Sequence, residues 1–311
     1  MKVLITGSRG LVGSNIVEAA PKYNLNLLTP SRKELDLTDY QATLKYIEES
    51  SPDVIIHAAG VVGGIQANID EPFKFTNDNL LMGINLINAA LKCNVRDLIN
   101  LGSSCMYPKE AENPLSENVL FSGALEPTNE GYAIAKLTVA KLCQFASKEC
   151  DVNYKTLIPC NLYGKYDKFD SVKSHMIPAV IMKTHRCKVE GLNNIDIWGD
   201  GTARREFMFA GDLAEFILSN LNKVESLPDM MNIGVGKDYS IEEFYKIISE
   251  VIGFTGKFSF DLSKPAGMKQ KLVDVKKQNE LGWTPKVGLK EGIIETYNYY
   301  LNGEKNASTS N

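Results

Sequence analysis

Tyr132 and Lys136 stand four residues apart in Tyr132-Ala-Ile-Ala-Lys136, downstream of Leu101-Gly-Ser-Ser-Cys105. Residues at this spacing share one face of a helix, so a phenol and an ammonium would meet there, with the Ser103 hydroxyl as a third polar group. Reduction of a ketone needs such a set. Tyr132 would protonate the nascent oxygen, Ser103 would hold the carbonyl, and the Lys136 charge would lower the phenol pKa from its reference near ~10 toward working pH. A Tyr and a Lys at this spacing also occur by accident in any helix, so the pair takes its meaning from the elements around it.

Those elements alternate. Lys2-Val-Leu-Ile-Thr6 is a short apolar run closed by a glycine-rich turn, and Ser14–Ala20 then reads as a helix. Buried-strand candidates follow at Asn26–Thr29, Val54–His57, Asp97–Leu101 and Tyr154–Ile158, separated by helical stretches such as Tyr40–Ser50, Asn77–Cys93 and Tyr132–Cys150. This order predicts an α/β, Rossmann-type doubly wound parallel sheet, with ligands at the carboxyl ends of the strands. Past residue 166 the pattern loosens into loops, a strand at Ile195–Trp198 and helices at Ser240–Gly253 and Leu289–Tyr300, which suit a smaller α/β substrate-binding lobe. The expected division is a nucleotide-binding domain over 1–165, with 207–235 returning to it, and a substrate lobe from 166–206 and 236–300. Residues 301–311 read as a disordered tail, and their Asn306-Ala-Ser sequon has no meaning without secretion.

Composition narrows the class. At 311 residues, 44% hydrophobic and 23% charged, the chain resembles an ordinary globular protein large enough for two lobes. It has no apolar run of about 18 residues, and Met1–Gly7 breaks too early for a signal peptide, so a cytoplasmic location away from membranes is expected. The six cysteines include no C-x-x-C pair, which points to free thiols and no structural metal. A net charge of −4 with dispersed Lys and Arg argues against nucleic-acid binding.

The turn Gly7-Ser8-Arg9-Gly10-Leu11-Val12-Gly13 follows a strand and opens a helix, the context in which such a motif holds a dinucleotide rather than merely turning the chain. Glycines let backbone N–H groups approach a pyrophosphate at the positive end of the helix. After the second strand an NAD site would carry Asp or Glu for the ribose hydroxyls, but the sequence reads Thr29-Pro-Ser-Arg32. Arg32 and Arg9 suit a 2′-phosphate, so NADPH/NADP+ is the expected cofactor. As isolated surface arginines they would carry no such meaning.

Thr6-Gly-x-x-Gly10-x-x-Gly13, Asp36-Leu37, His57-Ala-Ala-Gly60, Ser103 and Tyr132-x-x-x-Lys136 resemble the extended short-chain dehydrogenases/reductases. Val62–Asn68, Leu101–Pro108, Leu125–Glu130, Asn161–Gly164, Ser174-His175 and Trp198–Phe207 resemble, within that family, the GDP-L-fucose synthase branch, over about residues 1 to 300. The resemblance implies an NADPH-dependent 3,5-epimerase/4-reductase of a GDP-4-keto-6-deoxyhexose, working as a homodimer. It assigns Ser103, Tyr132 and Lys136 to reduction, and Cys105 and His175 to epimerisation as an acid/base pair. It also implies that Asp36, Leu37, Leu101, Gly102, Ser104, Pro159, Cys160, Asn161, Leu162 and His175 help hold the cofactor, and that Lys183, Trp198, Arg205 and Lys271 hold the sugar nucleotide.

The chemistry of these residue types agrees. A C4 ketone acidifies the protons on C3 and C5, and Cys and His have reference pKa values near ~8.5 and ~6.5, close enough to neutral to exchange them. Guanidinium and ammonium groups suit a diphosphate, and Trp offers a stacking face. Without the resemblance, Cys105, His175 and Trp198 would read as core or satisfied polar residues, and Arg204 and Arg205 as solvated charges. Three positions depart from the family pattern: Val61 replaces a frequent Lys, Lys183 a usual Arg, and Ala266 a frequent Asp that would accept guanine N–H groups. A relative whose substrate lacks the C3 hydroxyl, and a non-catalytic dinucleotide-binding module, are the alternatives.

Overall fold

Short apolar runs cannot satisfy their own backbone groups, and here they do so by lying side by side. In the computed structural model residues 1–170, 174–263 and 268–309 are described, with the backbone alone for Ile65 and 304–309. The first half contains β1 (Lys2–Thr6), α1 (Leu11–Ala19), β2 (Asn26–Leu28), α2 (Tyr40–Ser50), β3 (Val54–His57), α3 (Ile65–Asp70), α4 (Pro72–Lys92), β4 (Asp97–Leu101), α5 (Glu130–Glu149) and β5 (Asn153–Pro159). The second adds β6 (Asn161–Tyr163), α6 (Met176–Val189), β7 (Asn194–Trp198), β8 (Arg204–Arg205), β9 (Phe207–Phe209), α7 (Ala210–Asn220), β10 (Met230–Ile233), β11 (Tyr239–Ser240), α8 (Ile241–Ile252), β12 (Lys257–Asp261), β13 (Gln270–Lys271), α9 (Lys276–Glu280) and α10 (Leu289–Thr309).

The central sheet has the order β10-β5-β4-β3-β1-β2, and every pairing in it is parallel. Chain order reverses between β1 and β3, which is the switch point where a doubly wound sheet opens a ligand crevice. Alternate side chains feed two cores. Val3, Ile5, Val54, Ile56, Ile99 and Leu101 pack with Ile16 of α1 and Leu213, Phe216 and Ile217 of α7. Leu4, Ile55 and Leu98 face the other way, onto Ile47, Leu86, Val139 and Cys143 of α2, α4 and α5. Each such aliphatic side chain contributes about 1.5–3 kcal/mol on full burial, so both faces must be covered.

A third core lies beyond the sheet. Ile177, Val180 and Ile181 of α6, Ile195 and Ile197 of β7, Phe207 and Phe209 of β9, Phe244 and Ile248 of α8 and Ile293 of α10 close on one another. Small sheets frame it: β11-β8-β13, β12-β7 and β6-β9. Glu206, between β8 and β9, is fully buried. Its carboxylate accepts amide hydrogens from Val235 at 2.6 Å, Gly236 at 2.8 Å and Val273 at 2.8 Å. Among the described residues no helix is long and apolar enough to cross a membrane.

Three expectations change. The stretch after 166, read as loops, contains the fourteen-residue α6; Pro178 suggests a break but falls in the first turn, where a missing N–H costs nothing. The strand at β10, absent from the sequence reading, completes the sheet beside β5. The last helix does not stop at Tyr300 but runs to Thr309, so most of the expected disordered tail is helical. Extending a formed helix needs no new nucleus, and Glu304, Lys305 and Ala307 are good helix formers. Residues 310 and 311, and Ala266, lie outside the described residues.

His57, at the end of β3, is buried, with Nδ1 2.8 Å from the Thr6 hydroxyl. Burial, aided by the nearby Lys136 charge, pulls its pKa down from 6.5 to about 3. Below 6.5 the unfolded chain takes a proton that the folded chain refuses, so this group's contribution to stability falls as pH falls from 6.5 toward 3. The slope is about 1.4 kcal/mol per pH unit. Glu206, raised to about 7 chiefly by burial, slopes the opposite way from about 4.5 to 7, so the comparison must be between variants. We expect His57→Asn to gain stability relative to the parent as pH drops from 6.5 to 4.5, measured by urea unfolding at each pH; parallel curves would remove His57 as an acid-sensitive group.

Candidate active site

The carboxyl ends of β1, β3, β4 and β5 bring the candidate residues to one edge of the sheet. At β1, Gly7 has φ +71°, and a Cβ there would sit 2.6 Å from the Ala59 nitrogen. A Cβ on Gly13 would collide with the Gly7 carbonyl. Gly10 donates to Gly7 O at 2.9 Å and has extended geometry before α1, whose first turn has neither a side-chain cap nor an acid. The turn is therefore a backbone cradle at a positive helix end, a fit for a dinucleotide pyrophosphate.

Ser8 is buried, Leu11 and Val12 are half-buried, and Arg9 is exposed at the tip, as is Arg32 after β2. Sequence reasoning missed Glu34 nearby: its carboxylate accepts from Ser31 N at 2.7 Å, and these bonds, with the Arg9 charge, hold it below the usual carboxylate range. Asp36 bonds Thr38 through Oδ1, which holds its carboxyl low, and the Leu37 side chain is in the core.

At β4, Ser103 is the N-cap of a short 3-10 turn and accepts from Cys105 N at 3.2 Å. Its hydroxyl acts on the Tyr132 phenol, drawing the phenol pKa down against the effect of burial. Lys136 is buried, donates to Leu101 O at 2.9 Å, and lies over the Tyr132 ring, 5.9 Å from its centroid. Burial pulls the ammonium down to about 8. Burial, and after it the neighbouring Cys105, pushes the Tyr132 phenol up. This corrects the sequence expectation, which assumed the ammonium beside the hydroxyl; it sits against the ring face and bonds a carbonyl. A phenol that keeps its proton at neutral pH is still the form that can give one to a developing alkoxide.

Cys105 Sγ accepts from Asn129 Nδ2 at 3.2 Å and from Lys271 Nζ at 3.6 Å. Asn129 is a residue the sequence reading missed, although it lies within the quoted Leu125–Glu130 stretch. It begins α5 without capping it, because its amide faces the sulfur, and its Oδ1 is buried without a partner among the described residues. Ser103, Cys105, Tyr132 and Lys136 therefore form one cluster. His175, the exposed N-cap of α6, pairs instead with Asp167, Nδ1 to Oδ1 3.5 Å.

The second lobe contributes in two pairs. Arg205 and Lys271 are register partners across β8 and β13, so Lys271 reaches the thiol from the strand next to the one that carries Arg205. Arg205 is half-buried rather than a solvated charge: it donates to Arg204 O and Met268 O, and burial pulls its guanidinium down. Lys183 of α6 pairs with Asp196 of β7 at 2.6 Å, two residues from Trp198, which is 59% exposed and so outside the core. Pro159 ends β5; Leu101, Ser104 and Cys160 are buried, and burial pushes the Cys160 thiol well up. Asn161 Nδ2 donates to Glu206 O at 2.8 Å, and Leu162 follows in β6.

Residues 3–234 match the model of the NAD dependent epimerase/dehydratase family. The chain is 51% identical to a GDP-L-colitose synthase of Yersinia pseudotuberculosis over 98% of its length and 100% of that protein. It is 47% identical to a GDP-L-fucose synthase of Azorhizobium caulinodans, over 98% and 97%. The structure superposes on a GDP-mannoheptose C4 reductase from Campylobacter jejuni with NADP bound, with a TM-score of 0.88, 33% identity and 96% and 98% coverage. The switch-point crevice, the glycine cradle and the Ser103, Tyr132, Lys136 cluster agree with these likenesses, and the chain belongs to the NAD dependent epimerase/dehydratase family.

Proposed function

We propose that the chain is an NADPH-dependent nucleotide-sugar epimerase/reductase that converts GDP-4-keto-6-deoxy-D-mannose to GDP-L-fucose by 3,5-epimerisation and 4-reduction. The observation that carries this reading is the meeting of Ser103, Tyr132 and Lys136 with Cys105, whose sulfur takes a bond from Lys271 of the second lobe. A plain reductase would not need the thiol, and a non-catalytic module would need none of the four.

Bound NADPH supplies the hydride for C4. The cradle of Gly7, Ser8, Arg9, Gly10 and Gly13 would hold its pyrophosphate, Arg9 and Arg32 its 2′-phosphate, and Lys136 its ribose. Tyr132, kept protonated by burial, gives its proton to the C4 oxygen, and the Ser103 hydroxyl orients the carbonyl. Cys105 and His175 remove and return protons at C3 and C5 from opposite faces. Arg205 and Lys271, with Lys183 and Trp198, hold the sugar nucleotide. The cofactor domain comprises 1–165 with 207–235, and the substrate lobe 166–206 with 236–300. The protein works in the cytoplasm as a homodimer without membrane or nucleic acid; exposed Phe73 and Leu81 of α4 and Ile134 and Phe145 of α5 support the helix-pair interface.

The colitose synthase likeness, at 51% identity, favours a second reading in which the substrate lacks the C3 hydroxyl, only C5 inverts, and C4 is reduced. Following NADPH oxidation with GDP-4-keto-6-deoxymannose and with its 3-deoxy analogue, with product stereochemistry read by NMR, separates the two. Oxidation with neither would sink both.

Cofactor choice gives one prediction. Two arginines without a ribose-binding acid at the end of β2 should favour NADPH over NADH by at least about tenfold in kcat/KM, or ~1.4 kcal/mol, and Arg32→Ala should narrow the gap. Equal values in the parent would remove the arginine clamp.

The two half-reactions should separate. Cys105→Ser should slow deuterium incorporation from solvent at C3 or C5 while NADPH still binds. Tyr132→Phe should depress hydride transfer roughly 10² to 10⁴-fold, the span for a positioned acid. Exchange at the parental rate in Cys105→Ser would return Cys105 to a packing role.

Binding can be isolated at Arg205. A charge-assisted contact to a diphosphate is worth ~1.5–3 kcal/mol, so Arg205→Ala should raise the Kd for GDP about 10- to 100-fold and leave NADPH affinity unchanged. Calorimetric titrations that match the parent for GDP would take Arg205 out of the site.

A further inference from the structure

The segment Lys165–Asp170 carries a carboxylate that the proposed chemistry leaves unused. Asp167's side chain is 3% exposed, where an ionised group is costly unless paired. Its Oδ1 accepts from Lys168 N at 2.9 Å and stands 3.5 Å from His175 Nδ1. Among the described residues its Oδ2 is buried without a hydrogen-bond partner and its ion-pair partner is His175 alone.

The segment is anchored on several sides. Asn15 of α1 donates to Lys165 O at 3.0 Å, the Tyr166 ring meets Tyr299 at 5.2 Å, and Phe169 meets Tyr300 at 5.0 Å. Ser174, next to the histidine, donates to Lys168 O and accepts from Asp170 N, each at 2.6 Å. The backbone around the acid is thus tied to α1, to α10 and to the residue that precedes the histidine. A separation of 3.5 Å is long for a hydrogen bond, as contacts of this kind often are before substrate tightens them.

A neutral imidazole carries one N–H, and the partner of one ring nitrogen decides which nitrogen bears it. A carboxylate opposite Nδ1 selects Nδ1–H. We propose that Asp167 is a positioning residue for proton exchange at the sugar, holding His175 through Nδ1–H so that Nε2 is the atom that trades protons with carbon. In the protonating direction the Nε2 proton passes to the carbon, the new C–H bond takes its electron pair from the enolate, and the ring is left neutral with Nδ1 still protonated. The inference rests on His175 being the acid/base partner of Cys105, as proposed above.

The chain has three histidines, so 15N-imidazole spectra of the NADPH-bound enzyme can be assigned with His175→Asn. At a pH above the ordinary imidazole range, His175 should be the Nδ1–H tautomer in the parent. In Asp167→Asn it should move toward Nε2–H, because the new amide can donate to Nδ1. Kinetically, Asp167→Asn should slow deuterium exchange into substrate about 10- to 100-fold in kcat with KM and NADPH affinity little changed, and Asp167→Glu should recover part of the loss. Adding Asp167→Asn to His175→Asn should slow exchange no further, as expected of residues acting through one another. An Nε2–H tautomer in the parent, or an undiminished further loss in the double variant, would overturn the proposal. If the parent exchanged no deuterium with any GDP-4-keto sugar, the proposed function would fall, while the spectra would still decide the role of Asp167.

Discussion

Glu206 has no exposed surface, and its carboxylate takes amide hydrogens from Val235, Gly236 and Val273. Its own backbone is used in both directions: its carbonyl receives Asn161 Nδ2, and its N–H reaches Lys271 O. The chain leaving β10, the strands β8 and β13, and the start of β6 are therefore tied at one residue. Burial outweighs the amide donors and leaves the carboxyl raised to about 7, so the group is tolerable only while those donors stay in place. This fixes the neighbouring residues. Arg205 ends β8 just before Glu206, and Lys271 lies beside Arg205 on β13, so what holds the Glu206 carboxylate also holds these two cations side by side.

Around Tyr132 the neighbouring buried groups are held neutral or cationic. Lys136 is buried with a carbonyl for a partner, His57 is kept neutral, and the Tyr132 phenol retains its proton. The exposed arginines and the uncapped α1 add positive potential. Such an arrangement weakens the fold locally, since a buried ammonium and an Asn129 amide oxygen unpaired among the described residues bring no stability of their own. Local cost of this kind concentrates at functional sites. A dinucleotide and a sugar diphosphate are the sort of ligands whose charge would balance it.

The sheet was legible because buried parallel strands are near-continuous apolar runs bounded by turn residues, as Val54–His57 and Asp97–Leu101 are. The cradle was legible because only glycine fits positions such as Gly7 and Gly13. The second lobe was not, since Lys183, Trp198, Arg205 and Lys271 come from four elements, and only the resemblance grouped them. Asp167 and Glu206 could not be singled out at all: an acid in a loop is by default solvated, and nothing local announces that the fold will bury it. The error over the Tyr132 phenol has the same root. Spacing gave the shared helix face, but the Leu101 carbonyl, supplied by a distant strand, decided where the ammonium went.

Lys271 is where the two lobes become one site. An ammonium has three N–H donors on a flexible stem, so one can remain on the Cys105 sulfur while the others meet phosphate oxygens. Under the proposed function, the same side chain would then touch the group that exchanges protons and the part of the substrate that never reacts. Binding energy from the nucleotide would bear on the geometry of the thiol, as remote contacts do when they are used to orient a reacting centre. Asn129 is suited to keep the sulfur in place while Lys271 shifts, because it approaches from the opposite lobe, at the start of the helix that carries Tyr132 and Lys136. The thiol thus sits between a donor at the start of α5 and a donor on β13. Epimerisation and reduction could in this way share one bound substrate without either set of residues leaving its own element.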